Sequence, residues 1–221
     1  MDFLRDSAAF VFDMDGLLLD TERLANTALH AAAADLNLKL PEDTFLEMIG
    51  RRGQDIHHRL AVRVGSDSLA KDLLTRSEAH YETYLARGVP VKNGVAELLV
   101  WMTERNLPCA VATSTRTAKA ERKLAAAGLR QYFQAVIGGD QVEHGKPAPD
   151  VYLRAAAAMH VAPEYCAVFE DSEPGLQSAR AAGAQAVWVP DLAPVTAAVQ
   201  ALVTRVDSLH VVLVFLQTKK I

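Results

Sequence analysis

The stretch VFDMDGLLLD, residues 11–20, places two aspartates one residue apart at the end of an apolar run. Side chains alternate along a strand with a period of two, so Asp13 and Asp15 are predicted to share one face. Two carboxylates held so close repel each other. The arrangement is therefore expected where a cation, a proton or a phosphoryl group lies between them. The stretch therefore predicts a buried strand that ends in a reactive site.

Apolar runs rich in Val and Phe recur along the chain without polar alternation, as is typical of strands covered on both faces. They cover residues 8–13, 107–113, 134–139, 165–171 and 185–190. Helical patterns separate the later runs, with proline or an acid near their start and glycine or asparagine near their end. This alternation predicts an α/β fold with a doubly wound, mostly parallel sheet.

The region between the first two predicted strands contains helical patterns, including TFLEMI at residues 44–49, and no convincing strand. We predict an inserted all-helical domain at residues 17–91 and a core domain made of residues 1–16 and 92–221. The C-terminal run VVLVFL, residues 211–216, is compatible with an edge strand or a closing helix, because periodicity cannot separate the two over so few residues.

Composition excludes several classes of function. The 221 residues carry a net charge of −4, with a pI near 6.0, so nucleic acid and anionic membranes are poor partners. Cys109 and Cys166 lie in apolar runs and are predicted to be buried thiols of a reducing compartment. No apolar run fits a signal peptide or a membrane span. We expect a cytoplasmic monomer that acts on a small molecule.

Polar residues follow the predicted strands at the edge where a doubly wound sheet binds its ligands. Thr113 and Ser114 follow the second strand, Lys146 lies after the third, and Glu170 and Asp171 end the fourth. Acids at such an edge bind Mg²⁺, and a lysine with a hydroxyl holds phosphate oxygens. The combination predicts phosphoryl chemistry.

Four motifs in this order carry a family resemblance: DMDG at 13–16, TST at 113–115, GKPAPD at 145–150 and FEDS at 169–172. With a helical insert between the first two, the chain resembles the haloacid dehalogenase superfamily of aspartate-nucleophile phosphohydrolases. It is most similar to the branch of β-phosphoglucomutase and sugar-phosphate phosphatases. The resemblance runs from residue 10 to about residue 190. It implies a Rossmann-like core with a helical cap, and a Mg²⁺-dependent phosphatase of a small sugar or polyol phosphate.

The resemblance also implies roles for individual residues. Asp13 would be the nucleophile that forms an aspartyl-phosphate, and Asp15 the general acid that later acts as a base. Thr113, with Ser114, would hydrogen-bond the transferring phosphoryl group, and Lys146 would neutralise its oxygens.

The implied Mg²⁺ ligands are the carboxylates of Asp13 and Asp171 and the backbone carbonyl of Asp15. Glu170 would ligate the ion directly or through water, and the sequence leaves this open. Arg116 matches a basic residue that relatives use for phosphate.

By the same resemblance, the cap loop MIGRRGQD at residues 48–55 would select the substrate through Arg51 or Arg52. In β-phosphoglucomutases a histidine shortly after the first motif helps to control the acid/base, and an arginine and a lysine of the cap hold a second phosphate. Here the three positions fall on or near Ala25, Gly53 and His80. These departures argue against mutase activity.

A phosphomutase of the same fold remains the nearer alternative. A non-catalytic phosphoacceptor or binding domain is the alternative from another class, although such receivers carry their phosphoacceptor two strands after the first acid pair. A true dehalogenase is disfavoured, because those relatives lack the second acid that Asp15 supplies.

Overall fold

The computed structural model of the chain describes residues 1–49 and 53–218, with residues 53 and 54 described for their backbone alone. It divides into two compact units. The core unit comprises Met1–Leu19 with Pro90–Ile221, and the helical unit comprises Asp20–Val89.

The core unit is built on a six-stranded sheet whose neighbouring strands are all parallel, in the order β3-β2-β1-β4-β5-β6. This confirms the predicted fold class. The strands are β1 (Ala9–Phe12), β2 (Cys109–Ala112), β3 (Ala135–Ile137), β4 (Cys166–Glu170), β5 (Gln185–Trp188) and β6 (Thr204–Arg205). The sequence did not indicate β6, a two-residue edge strand of polar side chains.

Strand β1 is central and fully buried, as its apolar run AFVF requires. Phe10 pairs with Cys109 of β2 and with Ala167 of β4. From β1 the strand order runs one way to β2 and β3 and the opposite way to β4, β5 and β6. Such a topological switch point opens a crevice beyond the carboxyl ends of the strands. The Asp13 amide extends the ladder by donating to the Phe169 carbonyl at 3.0 Å, so Asp13 lies beside the end of β4.

The α-helices are α1 (Phe3–Asp6), α2 (Thr21–Asp35), α3 (Gly53–Val64), α4 (Asp67–Leu85), α5 (Val95–Thr103), α6 (Thr117–Ala126), α7 (Asp150–Ala158), α8 (Glu173–Ala181), α9 (Ala197–Gln200) and α10 (Leu209–Gln217). Helices α7 and α8 bury their apolar faces against one side of the sheet. The C-terminal run is helix α10, which packs against α5 and leaves Val211 and Val214 exposed.

The helical unit consists of α2, α3 and α4, with 3₁₀ turns at Glu42–Thr44 and Leu46–Met48. These turns replace the helix predicted over residues 44–49. Their bonds span three residues, as from the Met48 amide to the Phe45 carbonyl, because so short a segment cannot repay the nucleation of an α-helix. The core of this unit is apolar and includes Leu29, Ala32, Ala33, Met48, Leu60, Ala70 and Leu73.

Both cysteines are buried free thiols, as predicted. Burial raises the pKa of Cys109 to about 12 and that of Cys166 to about 11, so neither thiol is reactive. Among the described residues, no helix combines the length and the apolar character needed to cross a bilayer.

Candidate active site

The centre of the site is Lys146, whose side chain is only 4% exposed and lies between two carboxylates. Its Nζ is 2.5 Å from Asp13 Oδ1 and 2.5 Å from Glu170 Oε1, and it donates to the Ala112 carbonyl at 3.2 Å. Asp13 follows β1, Glu170 ends β4 and Ala112 ends β2. The lysine therefore joins three strand ends through one buried ammonium.

Burial raises the pKa of Asp13 to about 7, against the opposing pull of Lys146 and with a smaller push from Glu170 and Asp15. Burial also lowers the pKa of Lys146, but the attraction of Asp13 and Glu170 outweighs it and raises that pKa well above its usual value. Lys146 thus stays charged, while Asp13 depends on a nearby cation to ionise fully at neutral pH.

Glu170 is fully buried, and protein groups occupy both of its oxygens. Oε1 accepts from Lys146 and from Tyr152 Oη at 2.9 Å, and Oε2 accepts from the Ser172 amide at 2.8 Å and the Ser172 hydroxyl at 2.9 Å. Burial and the charge of Glu170 raise the pKa of Tyr152 well above its usual value, so its hydroxyl remains a donor. This geometry suits a carboxylate that holds Lys146 in place.

We expect Tyr152→Phe to lower the free energy of unfolding by about 1.5–3 kcal/mol, because it removes a buried donor to a charged acceptor. Chemical denaturation measures the change. The control is Tyr165→Phe, since Tyr165 is 59% exposed. Equal stability of the Tyr152 variant and the wild type would contradict the assigned hydrogen bond.

Gly175, in the first turn of α8, lies directly against Glu170. A Cβ at this position would overlap the Glu170 carboxylate. We therefore expect Gly175→Ala to destabilise the fold by about 1–3 kcal/mol and to lower kcat by displacing Glu170 and Lys146. Thermal unfolding and turnover measure both effects, with Gln177→Ala on the exposed side of α8 as the control. A fully active, equally stable Gly175 variant would be inconsistent with this packing.

Asp15 has a lysine of its own. Its Oδ1 accepts from Lys123 Nζ at 2.7 Å and its Oδ2 accepts from Thr115 Oγ1 at 2.7 Å. The sequence reasoning missed both partners. For Lys123 the sequence pattern did contain an indication of burial. Lys123 lies three residues after Ala120 and next to Leu124, and all three are on the buried face of α6.

The other predicted substrate ligands lie around the start of α6. Thr113 is buried and its Oγ1 accepts from the Thr115 amide at 3.1 Å, which leaves its hydroxyl hydrogen available. Ser114 and Arg116 are exposed. The predicted cap-loop ligands, Arg51 and Arg52, lie outside the described residues.

Asp171, at the end of β4, offers a carboxylate that is 2% exposed. An oxygen of Asp191, which follows β5, lies within 4.8 Å of it. Lys92 Nζ contacts Asp191 at 2.5 Å. The carboxylate oxygens of Asp171 and Asp191 are of the kind that a hard divalent cation binds, and Lys92 offsets part of their negative charge. The sequence reasoning did not single out Asp191 or Lys92.

A carboxylate held beside a buried lysine, at the switch point of a doubly wound sheet and next to further acids, is typical of hydrolases that act on phosphate esters. The family model described as haloacid dehalogenase-like hydrolase matches residues 10–189. The chain belongs to this family, which confirms the resemblance found in the sequence.

Individual relatives are sugar-phosphate enzymes. The chain is 36% identical over 183 residues to fructose-1-phosphate phosphatase YqaB of Escherichia coli K12, covering 82% of this chain and 96% of that protein. It is 28% identical over 189 residues to β-phosphoglucomutase of Bacillus subtilis, covering 82% of each. A crystal structure of a HAD family hydrolase from Deinococcus radiodurans R1, with bound phosphate and sodium, superposes with a TM-score of 0.77 at 28% identity, covering 95% of this chain and 94% of that one.

Proposed function

We propose that this hydrolase is a Mg²⁺-dependent phosphatase that releases phosphate from a small sugar or polyol phosphate through an aspartyl-phosphate on Asp13. The observation that carries the proposal is the buried Asp13 carboxylate beside Lys146 at the switch point of the sheet. A nucleophile there is desolvated, and the ammonium that lowers its pKa also faces the incoming phosphate.

In the first step a carboxylate oxygen of Asp13 attacks phosphorus, and the bond from phosphorus to the ester oxygen breaks. Asp15 gives a proton to that oxygen, so the leaving group departs as a neutral alcohol. Lys146 offsets charge on the phosphoryl oxygens, and the Thr113 hydroxyl donates to one of them. Ser114 and Arg116 contribute further donors at the start of α6.

In the second step Asp15 takes a proton from water as the water oxygen attacks phosphorus. The bond from phosphorus to Asp13 breaks, so inorganic phosphate leaves and both acids return to their starting states. The same side chain serves as acid and then as base, as the reversal of proton transfer requires.

Mg²⁺ would be held by the carboxylates of Asp13 and Asp171 and by the backbone carbonyl of Asp15. When bound, it supplies a positive charge that draws the phosphate and the nucleophile together. Protein donors occupy both oxygens of Glu170. We therefore propose that Glu170 does not bind the ion itself and that it orients Lys146.

We expect Mg²⁺ affinity to rise with pH up to about 7 and then to level off, because the ion displaces the proton from Asp13. Calorimetric titration of the protein at several pH values measures this. In Asp13→Asn the affinity should be weaker and independent of pH over the same range. A wild-type affinity that does not change between pH 5 and pH 8 would count against Asp13 as a ligand.

We also propose that residues 17–91 act as the cap domain that selects the leaving group, with Arg51 or Arg52 as anion ligands, and that residues 1–16 and 92–221 form the catalytic domain. The separate helical unit supports this division. We further propose a cytoplasmic monomer, and the buried free thiols support the cytoplasmic location.

A phosphomutase is the second candidate, favoured by the similarity to β-phosphoglucomutase. Two residues argue against it. Ala25 replaces the expected histidine. His80 lies near the position of the expected lysine and is hydrogen-bonded within the helical unit, with its Nε2 2.7 Å from Asp35 Oδ2.

Phosphate release from a panel of sugar and polyol phosphates, with Mg²⁺ and with EDTA, tests the proposal. The panel includes β-glucose 1-phosphate. We expect release only with the metal. Conversion of β-glucose 1-phosphate to glucose 6-phosphate without release would establish the mutase. No turnover of any ester would favour a binding domain.

A further inference from the structure

We propose that Lys123 is a positioning residue that, together with Thr115, fixes the Asp15 carboxylate in the orientation from which it exchanges protons. The inference rests on the proposed function, because it concerns the acid and base step of that reaction. It assigns a role to a lysine outside the four sequence motifs.

The contact between Lys123 and Asp15 joins distant parts of the core unit. Lys123 projects from the second turn of α6, and Asp15 follows β1, 108 residues earlier in the chain. With Thr115 on the other oxygen, the carboxylate is held at both ends by donors 2.7 Å away. Two bonds of this kind determine the rotation of a short side chain about both of its torsions.

Packing alone does not explain a lysine at this position. The Lys123 side chain is 5% exposed and the Asp15 side chain is 24% exposed. Taking an ammonium out of water is costly, and an apolar residue of similar size would usually serve stability as well or better. Since α6 already presents Ala120 and Leu124 to the interior, an apolar side chain would continue that face. The hydrogen bond that the ammonium donates to the Asp15 carboxylate therefore explains why a lysine is present here.

The two acids of DMDG thus have separate cations. Asp13 contacts Lys146, and Asp15 contacts Lys123. Without Lys123, the Asp15 carboxylate would lose one of the donors that fix it and could turn towards other positive charge at the same edge of the sheet. A carboxylate turned in that way no longer faces the leaving-group oxygen or the attacking water. Loss of Lys123 should then slow proton transfer and leave phosphate binding intact.

Single-turnover kinetics with the protein in excess, in the presence of Mg²⁺, separate these effects. The substrates are p-nitrophenyl phosphate, whose leaving group departs without a proton, and glycerol phosphate, whose leaving group requires one. We expect Lys123→Met to slow release of glycerol about 10- to 100-fold, as part of the total contribution of general acid catalysis. Release of nitrophenolate in the first turnover, and the protein concentration that gives half the maximal rate, should each change less than about 3-fold, because Asp13 and Lys146 are untouched.

Two further variants test positioning by a cation. Lys123→Arg keeps the charge and should recover most of the glycerol release. Thr115→Val removes the other donor to Asp15 and should show the same dependence on the leaving group. This variant tests the inference if Lys123→Met does not fold. Arg122→Met, at the exposed neighbouring position of α6, controls for the loss of one positive charge.

The inference would be overturned if both substrates were slowed equally, if half-saturation weakened without a change in the maximal single-turnover rate, or if no rate changed. An inactive wild type would instead refute the proposed function. The two failures are therefore distinguishable.

Discussion

Asp13→Asn is expected to abolish phosphate release, with kcat lowered at least about 10⁴-fold, as for other enzymes that lose their nucleophile. The amide that replaces the carboxylate is nearly the same size but cannot attack phosphorus. A coupled assay for inorganic phosphate, with Mg²⁺ and a sugar phosphate, measures the loss. Asp6→Asn, at an exposed position of α1, should keep full activity.

Loss of structure would not explain this result. The folded-state pKa of Asp13 lies near 7, above its ordinary value of 3.8, so the metal-free wild type loses stability as pH rises from 3.8 to about 7 and Asp13 must ionise in a buried place. An asparagine cannot ionise and avoids this loss. At pH 8 without metal, the variant should therefore be at least as resistant to urea as the wild type. A variant that is folded and retains turnover within 10-fold would remove Asp13 from the mechanism.

Lys146→Met is expected to have the largest effect on stability, with a decrease of about 3–5 kcal/mol in the free energy of unfolding at pH 8. The substitution leaves the Asp13 and Glu170 carboxylates buried beside each other with no ammonium between them. Turnover should fall about 10²- to 10³-fold, because a group that stabilises developing charge is lost.

The pH dependence of this loss distinguishes its cause. The pKa of Asp13 is about 7 beside Lys146, and loss of the ammonium raises it further. At pH 5 Asp13 is therefore protonated and needs no cation, so the loss of stability should be smaller at pH 5 than at pH 8. Urea unfolding at both pH values measures it. Lys39→Met, at an exposed position of the helical unit, should change stability by less than about 0.5 kcal/mol. An unchanged stability at pH 8 would contradict the central position of Lys146.

Local pattern was enough to predict the sheet and the position of its reactive edge. Buried parallel strands are nearly continuous apolar runs, so residues 8–13 and 165–171 identified β1 and β4 directly. Strand β6 was not predicted, because two polar residues form no recognisable pattern. It is a strand only through its pairing with β5, which lies at a distance along the chain. The run VVLVFL became a helix because α5 covers one of its faces, which periodicity could not reveal.

The site residues also fall into those that the sequence pattern could predict and those that it could not. Residues that end strands, such as Asp13, Thr113 and Asp171, could be found from sequence because their position follows from the strands. Lys123, Tyr152 and Asp191 could not be found so directly. Each lies within a helix or in a later loop, and tertiary packing alone brings it to the edge of the sheet. A buried lysine on an apolar helix face is the signal that a second reading of α6 would provide.

The most direct test of the account is to trap the phosphorylated protein. Asp15→Asn lacks the base that activates water, so with p-nitrophenyl phosphate and Mg²⁺ it should form the aspartyl-phosphate and hydrolyse it slowly. After quenching in acid, peptide mass spectrometry should find one phosphoryl group on the peptide that carries Asp13, and none in Asp13→Asn. A phosphoryl group on another residue, or none in Asp15→Asn while the wild type turns the ester over, would contradict the proposed mechanism.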